Sequence, residues 1–260
     1  MQKVLSILPS FNRTRWRWQG QWLSHRWLLL LNLAFGLYVG LPFLAPIFMH
    51  IGWNGAGKVI YSLYSWLCHQ LPQRSFFLFG DKFTYSLAEV QNAWQNTTDL
   101  LLLRQFIGTP EMGWKVAWSD RMVSMFVSTW LSGLLWWPIR RRLPALPLWG
   151  LGLFLLPMAV DGTTHFFSDL AGIGQGFRDD NAWLAALSAH VFPASFSAGD
   201  AWGSFNSWMR LLTGVLFGLG AVWFGYPYLD DAFSAQPIRY ASPASSPSAN
   251  KASSDEEVFR

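Results

Sequence analysis

Long uncharged apolar runs alternate with short polar stretches along the 260-residue chain. About 20 apolar residues in a helix are needed to cross about 30 Å of hydrocarbon. Four runs approach or exceed that length, and we predict them as membrane spans at residues 27–49, 122–138, 143–160 and 211–229. A shorter run before Pro72 already contains Cys68, His69 and Gln70, which predicts a re-entrant or interfacial helix. The pattern indicates an all-α integral membrane fold with four transmembrane helices and this short helix.

The remaining segments flank these runs. Residues 1–26 are basic and rich in tryptophan, with no acidic residue, which favours a cytoplasmic segment on an anionic membrane surface. Residues 27–229 form the predicted four-span domain, with outer loops at 50–120 and 161–205. Residues 230–260 are rich in Ser, Pro and Ala and scattered charge, and they predict a disordered cytoplasmic tail.

The basic residues set the predicted orientation. The amino-terminal block and Arg140–Arg142 should both face the cytoplasm, because short cytoplasmic segments carry an excess of Lys and Arg. Four crossings place both blocks on that side, whereas a fifth crossing near residues 59–79 would separate them. We therefore predict a multi-pass protein of the cytoplasmic membrane, with both termini cytoplasmic and the lipid bilayer as its partner.

Composition agrees with this class. Apolar residues make up 52% of the chain and charged residues only 13%, about half the charged share of a soluble domain. The net charge of +4 could suggest nucleic acid, but the basic residues lie beside the apolar runs and no nucleic-acid-binding motif is present. Nucleic acid is therefore not an expected partner. The single cysteine excludes an intramolecular disulfide, so Cys68 is inert, reactive or a ligand.

The predicted topology brings four polar stretches to the outer membrane boundary. Ionisable groups at membrane depth are costly and usually face the bundle interior. These stretches supply the candidate ligand-binding residues Cys68, His69, Arg74, Asp120, Arg121, Asp161, His165, Asn206 and Arg210. If the third helix continues, Asp161 and His165 share one face, a spacing that suits joint metal binding or an Asp-oriented imidazole. We therefore consider His69, Asp161 and His165 as ligands of a divalent metal.

Each of these features also has a purely structural interpretation. Cys68 can be a small buried apolar residue. Asp161 and His165 can cap the third helix. Arg121 and Arg210 can pair with the neighbouring aspartates or reach lipid headgroups. The i+4 stripe from Asp120 through Ser124, Ser128 and Ser132 is better explained by helix packing than by a transport pathway. Between residues 80 and 118, charges of alternating sign predict an irregular, partly helical segment in contact with water.

Three motifs carry a resemblance to a known family. The first is Cys68-His69-Gln70-x-Pro72-x-Arg74-Ser75-Phe76-Phe77-x-x-Gly80; the others are Asp161-Gly162-Thr163 after Pro157, and Asn206-x-x-x-Arg210-Leu211-Leu212-Thr213-Gly214. In this order, over about residues 60–225, they resemble bacterial polytopic membrane proteins grouped as domain of unknown function 2085. The resemblance implies a bacterial membrane location and a fold, without implying an activity.

The chain departs from that family pattern in two places. A Cys-x-Arg-Cys-x-Gly-x-Tyr stretch is typical of members, but here Ser119 and Met122 replace both cysteines while Arg121 is kept. The cysteine pair and Cys-His together would suggest a soft-metal site, so its loss leaves only an oxygen and nitrogen ligand set. The segment around residues 81–116 is an additional insertion, which suggests a surface for a partner protein.

Two functions are compatible with these features. The first is a membrane protein whose outer-face polar cluster binds a metal ion or a small polar ligand, with catalysis left open. The second is a non-catalytic subunit of a larger membrane complex. The sequence contains no nucleophile elbow, phosphate-binding loop, His-Glu-x-x-His or Cys-x-x-Cys motif, so it names no reaction.

Overall fold

The computed structural model describes the backbone of residues 11–233 and the side chains of residues 26–233. In chain order the elements are α1 (Phe11–His50), α2 (Asn54–Ser65), a 3₁₀ turn (Pro72–Arg74), β1 (Ser75–Leu78), α3 (Leu87–Ala93), α4 (Leu100–Leu103), β2 (Gly108–Thr109), β3 (Gly113–Ser119), α5 (Asp120–Ile139), α6 (Leu148–Asp169), α7 (Phe177–Asp180), α8 (Ala182–Leu187), α9 (Ala194–Ser197) and α10 (Phe205–Phe233). The predictions for residues 1–10 and for the tail after residue 233 lie outside these described ranges.

Three helices in the described part are long and apolar enough to cross a membrane: α1 from Arg26 to His50, α5 and α10. They correspond to the first, second and fourth predicted spans. The predicted third span also folds as a helix, α6, with 22 residues. Its carboxyl-terminal half carries Asp161 and His165, which lower its mean hydropathy, so α6 is not among the candidate spans.

Helices α5 and α10 run parallel and approach closely through small residues. The hydroxyl of Ser124 donates to the carbonyl of Arg210 at 3.2 Å, and Ser128 donates to the carbonyl of Gly214 at 3.2 Å. A Cβ atom on Gly214 would lie 1.9 Å from the Ser124 hydroxyl, so only glycine permits this approach. The serine stripe therefore packs the two helices together, as its structural interpretation predicted.

Helices α1 and α6 run in the opposite direction to this pair. On α1, the Asn32 amide donates to the carbonyl of Gly133 at 3.2 Å, and Trp27 stacks on Phe233 with 5.7 Å between ring centroids. The start of the first candidate span thus lies at the same end of the bundle as the end of α10. Helix α6 packs its Phe154 beside Trp223 near that end and carries Asp161 at the other.

The fold is not all-α, which corrects the predicted class. A three-stranded antiparallel sheet in the order β1-β3-β2 lies beside the amino-terminal end of α5. The core of β3, from Val116 to Trp118, is fully buried against α1 and α2. Apolar runs this short cannot be distinguished as strand or helix by periodicity alone, so the sequence by itself predicted an irregular segment here.

Lys115 on β3 corrects a second prediction for that segment. Water contact was expected there, yet the Lys115 side chain is fully buried. Its ammonium group donates to the carbonyls of Gln70 at 2.7 Å and Arg104 at 2.8 Å. The insertion therefore folds back onto the loop after α2 through this lysine.

The predicted short helix is present as α2 and ends at Ser65, before the polar residues of the first motif. Gly52 at φ +85° makes the tight turn that separates α2 from α1. One face of α2 buries Ile60, Tyr61 and Tyr64 in the core, while the other leaves Val59 and Leu63 exposed, as is Trp66 just after the helix. An apolar exposed face is what a helix at the membrane surface requires.

Candidate functional site

The end of the bundle opposite Trp27 holds a buried network of arginines and aspartates. Helices α5 and α10 both begin there, which brings Asp120 and Arg210 together. The Arg210 Nε atom lies 2.9 Å from both carboxylate oxygens of Asp120. Both side chains are almost fully buried, so the pair is shielded from solvent and from salt.

Asp200 extends the network from the loop between α6 and α10. Its two carboxylate oxygens accept from Arg210 Nη1 and from Arg74 Nε, each at 2.7 Å. Arg74 also donates twice to Asp169, the last residue of α6, through Nη1 and Nη2 at 2.7 Å. This bidentate pair fixes the guanidinium plane. Arg74, immediately before β1, therefore connects the sheet, α6 and the loop.

Asp161 is the centre of the other half of the network. Its Oδ2 accepts from Arg121 Nη2 at 2.6 Å and its Oδ1 from Arg178 Nη2 at 2.7 Å. His165 lies one turn further along α6, with its Nε2 3.2 Å from Arg178 Nη2 and 3.8 Å from Asp161 Oδ1. Asp161 and His165 thus have buried side chains within the continuous helix α6 and do not cap its end.

Hydrogen bonding determines the form of His165. A guanidinium nitrogen can only donate, so the contact from Arg178 Nη2 requires Nε2 of His165 to be the acceptor. The imidazole is therefore neutral and carries its proton on Nδ1. Nδ1 has no hydrogen-bond partner among the described residues.

Buried amides hold the loop that presents Arg178. Asn206, at the start of α10, donates to the carbonyls of Arg178 at 2.6 Å and Gly199 at 3.0 Å. Asn181 donates to the carbonyl of Arg178 at 2.8 Å and has φ +42°. Ser168 accepts from the backbone N–H of Arg178 at 2.9 Å. Asn206 was predicted as a ligand-binding residue. Its side-chain amide instead holds the backbone of this loop, and it makes no hydrogen bond to the carboxylates of the network.

The charges are unevenly compensated across the network. Burial raises the pKa of the Asp200 carboxyl, but Arg74 and Arg210 outweigh burial and hold that pKa below its usual range. Burial lowers the pKa of Arg74, and the carboxylates of Asp200 and Asp169 more than reverse this. For Arg178, burial lowers the pKa by more than Asp161 raises it. The positive charge of Arg178 is therefore less fully balanced by neighbouring carboxylates than the positive charge of Arg74.

Two predicted site residues lie outside the network. Cys68 is buried in the core beneath the sheet, where its sulfur accepts from the backbone N–H groups of Gln70 and Ser119, each at 3.4 Å. Its neighbour His69 is exposed. Consecutive residues point in different directions, which separates these two side chains.

The predicted metal ligands are not assembled. Among residues 26–233, no group of three or more His, Cys, Asp or Glu side chains is placed to hold a metal ion. Both oxygens of Asp161 are occupied by guanidinium groups, and Nε2 of His165 accepts from another. The exposed His69 does not join them. This arrangement favours a ligand other than a cation.

Three members of the network were missed: Asp169, Arg178 and Asp200. Asp169 lies four residues after His165 and eight after Asp161, on the same helical face, so extending the third helix would have identified it. Arg178 and Asp200 lie in the loop between α6 and α10. In the sequence only their charge distinguishes these two residues, and charged residues are equally typical of a solvent-exposed loop.

Comparison with known proteins agrees with the membrane assignment. Residues 111–224 match the model of a family described as predicted membrane proteins, domain of unknown function 2085. The chain is also similar to the uncharacterized protein MJ1492 of Methanocaldococcus jannaschii, with 27% identity over 162 residues, 59% of this chain and 80% of that protein. No solved structure matches the chain.

The family match confirms the resemblance inferred from the sequence motifs. It covers Asp120, Arg121, Asp161, His165, Arg178 and Asp200, together with Asn206 and Arg210. The Cys68–Gly80 motif and Arg74 precede the matched residues, so that part of the resemblance stays a prediction.

Proposed function

We propose that this protein, a relative of the membrane proteins of domain of unknown function 2085, binds a small polar ligand at the Arg–Asp network on its outer face. The observation that carries the proposal is the convergence of four aspartates and four arginines, from five separate segments, at one end of the bundle. Five of them are buried, Asp120, Asp161, Asp200, Arg178 and Arg210, and three are partly buried, Asp169, Arg74 and Arg121. Ionisable residues at this depth are costly, which makes them functional candidates.

A four-span topology forms part of the proposal. Helices α5 and α10 run parallel, so the chain between them has to return across the bundle. Helix α6 is the long helix in that segment, and it packs along α10 from Phe154 beside Trp223 to the region of Asp161. We infer that α6 is the remaining span, with its polar half covered by Arg121, Arg178 and the outer loop. This would place both termini on the cytoplasmic side of a bacterial membrane.

A thermal-stability screen of the purified full chain in detergent tests ligand binding. The panel contains small anions, cations, zwitterions and neutral polyols, at constant ionic strength. We expect at least one class to raise the unfolding midpoint saturably, because a ligand that binds only the folded state stabilises it. Arg121→Gln should weaken that effect.

Arg140→Gln is the matched control. Arg121 and Arg140 lie at opposite ends of α5, have similar exposed fractions of 18% and 20%, and each binds one aspartate. The control should respond to the ligand as the wild type does. If no compound shifts the wild-type midpoint, or if both variants respond alike, the proposal is rejected.

Membership of a larger membrane complex is the second candidate function. Leu187 and Val191 in the outer loop are 80% and 78% exposed, and clustered exposed apolar residues are common at protein interfaces. Cross-linking in native membranes from Asp180→Cys, an exposed position in the same loop, should then give one discrete heteromeric product. Recovery of the monomer alone would reject this alternative.

A further inference from the structure

The four arginines of the network differ in how completely their N–H groups are bonded. Arg74 and Arg210 each use Nε, Nη1 and Nη2 in hydrogen bonds to carboxylate or carbonyl oxygens. Arg121 and Arg178 are bound to Asp161 through Nη2, while the Nε atom of each is buried and has no acceptor among the described residues. The unmet donors therefore belong to the two arginines that share Asp161.

His165, which contacts Arg178, adds a third unmet donor. Its Nε2 accepts from Arg178, so the proton is on Nδ1, which is buried and unpartnered within the described part of the chain. The His165 side chain is 5% exposed and that of Arg178 8%. Three buried N–H donors without an acceptor thus belong to Asp161's two arginine partners and to the histidine that contacts one of them. A buried donor without an acceptor costs about 1–3 kcal/mol.

Charge in this half of the network is also unbalanced. Arg121 and Arg178 carry two positive charges against the single negative charge of Asp161, and His165 is neutral. The other half, Arg74 and Arg210 with three aspartates, has the opposite imbalance. An anion that accepts hydrogen bonds would balance the excess positive charge. The same anion would bond to the donors that lack an acceptor.

We propose that Arg121, Arg178 and His165 bind one oxyanion, a phosphate or carboxylate group, beside Asp161. The inference rests on the proposed ligand-binding function and names the chemistry of its ligand. Planar guanidinium groups suit oxyanions because two N–H groups can contact two oxygens. Access is through Arg121, the most exposed of the three, whose Nη1 lies 2.9 Å from where a Cβ of Gly162 would be. Glycine at this position leaves room for that guanidinium.

Two sources can supply such a group at the outer boundary of a membrane: a soluble anion or the phosphate of a lipid headgroup. We would titrate sodium phosphate and sodium acetate, at fixed ionic strength, against the full chain in a phosphate-free sugar detergent. A separate arm adds phosphatidylglycerol to the micelles. The readout in each arm is the thermal unfolding midpoint. A response to the soluble anions or only to the lipid supports the site and identifies its source.

Variants locate the site. Arg121→Lys keeps the charge but removes Nε–H and the planar fork, and it should raise the apparent Kd at least about tenfold. Arg140→Lys, the matched change at the other end of α5, should leave Kd unchanged. Equal Kd values for wild type and Arg121→Lys would overturn the proposed site.

A measurement on the unmodified chain keeps the proposal falsifiable if Arg121→Lys fails to fold. With ¹⁵N-labelled histidine, the His165 Nδ1 resonance should move on addition of the stabilising anion, and those of the other histidines should not. If the chemical shift of His165 Nδ1 does not change, the proposal is overturned. Stabilisation by a cation or polyol, with none by phosphate, acetate or lipid, would refute the oxyanion while leaving ligand binding intact. No response to any compound would refute both.

Discussion

Arg210 and Asp120 are separated by 90 residues in sequence, yet the Arg210 Nε lies 2.9 Å from each oxygen of the Asp120 carboxylate. The pair joins the first turn of α5 to the second turn of α10, the two parallel helices of the bundle. Because both groups are buried, removing one leaves the other charge without its counter-ion. The pair is therefore important for the stability of this whole end of the bundle.

Asp120→Asn should lower the free energy of unfolding by about 3–5 kcal/mol, because Arg210 would remain buried with less counter-charge. Denaturant titration in mixed micelles measures this. Lys82→Ala, which breaks an ion pair with Glu89 in which the Lys82 side chain is 60% exposed, should cost far less, because solvent screens an exposed pair. Similar losses for the two variants would contradict the burial argument.

Gly218→Ala should destabilise the protein by about 1–3 kcal/mol through overpacking. A Cβ at Gly218 would lie 2.0 Å from the Ser128 hydroxyl and 2.6 Å from the backbone nitrogen of Thr129, which cannot rotate away. Gly225→Ala on the same helix is the control, since nothing lies within 4 Å of a Cβ there. It should be neutral or slightly stabilising, and a loss at Gly225 equal to that at Gly218 would refute close helix packing as the cause.

The stability of the outer sheet should depend on pH through Lys115. Burial lowers the pKa of Lys115 from its ordinary 10.5 to about 7. Between pH 7 and 10.5 the unfolded chain holds this proton and the folded chain does not, so the unfolding free energy rises with pH, by up to about 1.4 kcal/mol per pH unit. Below pH 7 both states are charged and this contribution to the slope disappears.

Lys115→Met isolates that effect. The difference in unfolding free energy between wild type and variant, measured from pH 6 to 9.5, should be flat below pH 7 and increase above it. The neutral amine keeps two hydrogens for the carbonyls of Gln70 and Arg104, so folding above pH 7 retains both contacts. A pH-independent difference would mean that Lys115 stays protonated in the fold.

Cys68 should react slowly with thiol reagents in the folded protein. Its side chain is buried, and its sulfur accepts two backbone N–H groups. We expect labelling by a maleimide in native micelles to be much slower than in denaturant, because a buried thiol reacts only when the structure around it opens. Rapid native labelling would indicate a reactive thiol. Ser65→Cys, at the end of α2, gives the partly exposed comparison in a Cys68→Ala background.

The four-span proposal predicts opposite accessibility for two exposed positions. In a Cys68→Ala background, Arg141→Cys should react with a membrane-impermeant reagent only from the cytoplasmic side. Asp180→Cys should react only from the outside, because α6 would carry the chain across between them. Both positions are exposed. Labelling of both cysteines from the same side of sealed vesicles would exclude α6 as a span.

The sequence predicted the helical framework well because long uncharged runs have few alternatives to helices in a membrane. Three of the four predicted spans lie within helices, and the third, predicted from residue 143, begins only at Leu148; α6 and α10 also extend beyond their predicted ends at residues 160 and 229. The extension of α6 matters most, since it converts Asp161 and His165 from loop residues to buried helical ones. The third span was predicted to end too early because a hydropathy scale counts Asp161 and His165 as polar. It takes no account of the partners that other segments supply to such residues.

By itself the sequence determined the apolar helices, the family resemblance and most of the residues that meet at the outer end. Tertiary structure alone decided their bonding: the central place of Arg178, the separation of Cys68 and His69 from the network, and the sheet that buries Lys115. The physical reason is that a run of apolar residues indicates burial through its local composition. The state of a buried charge instead depends on which charges, distant in sequence, lie within about 3 Å of it.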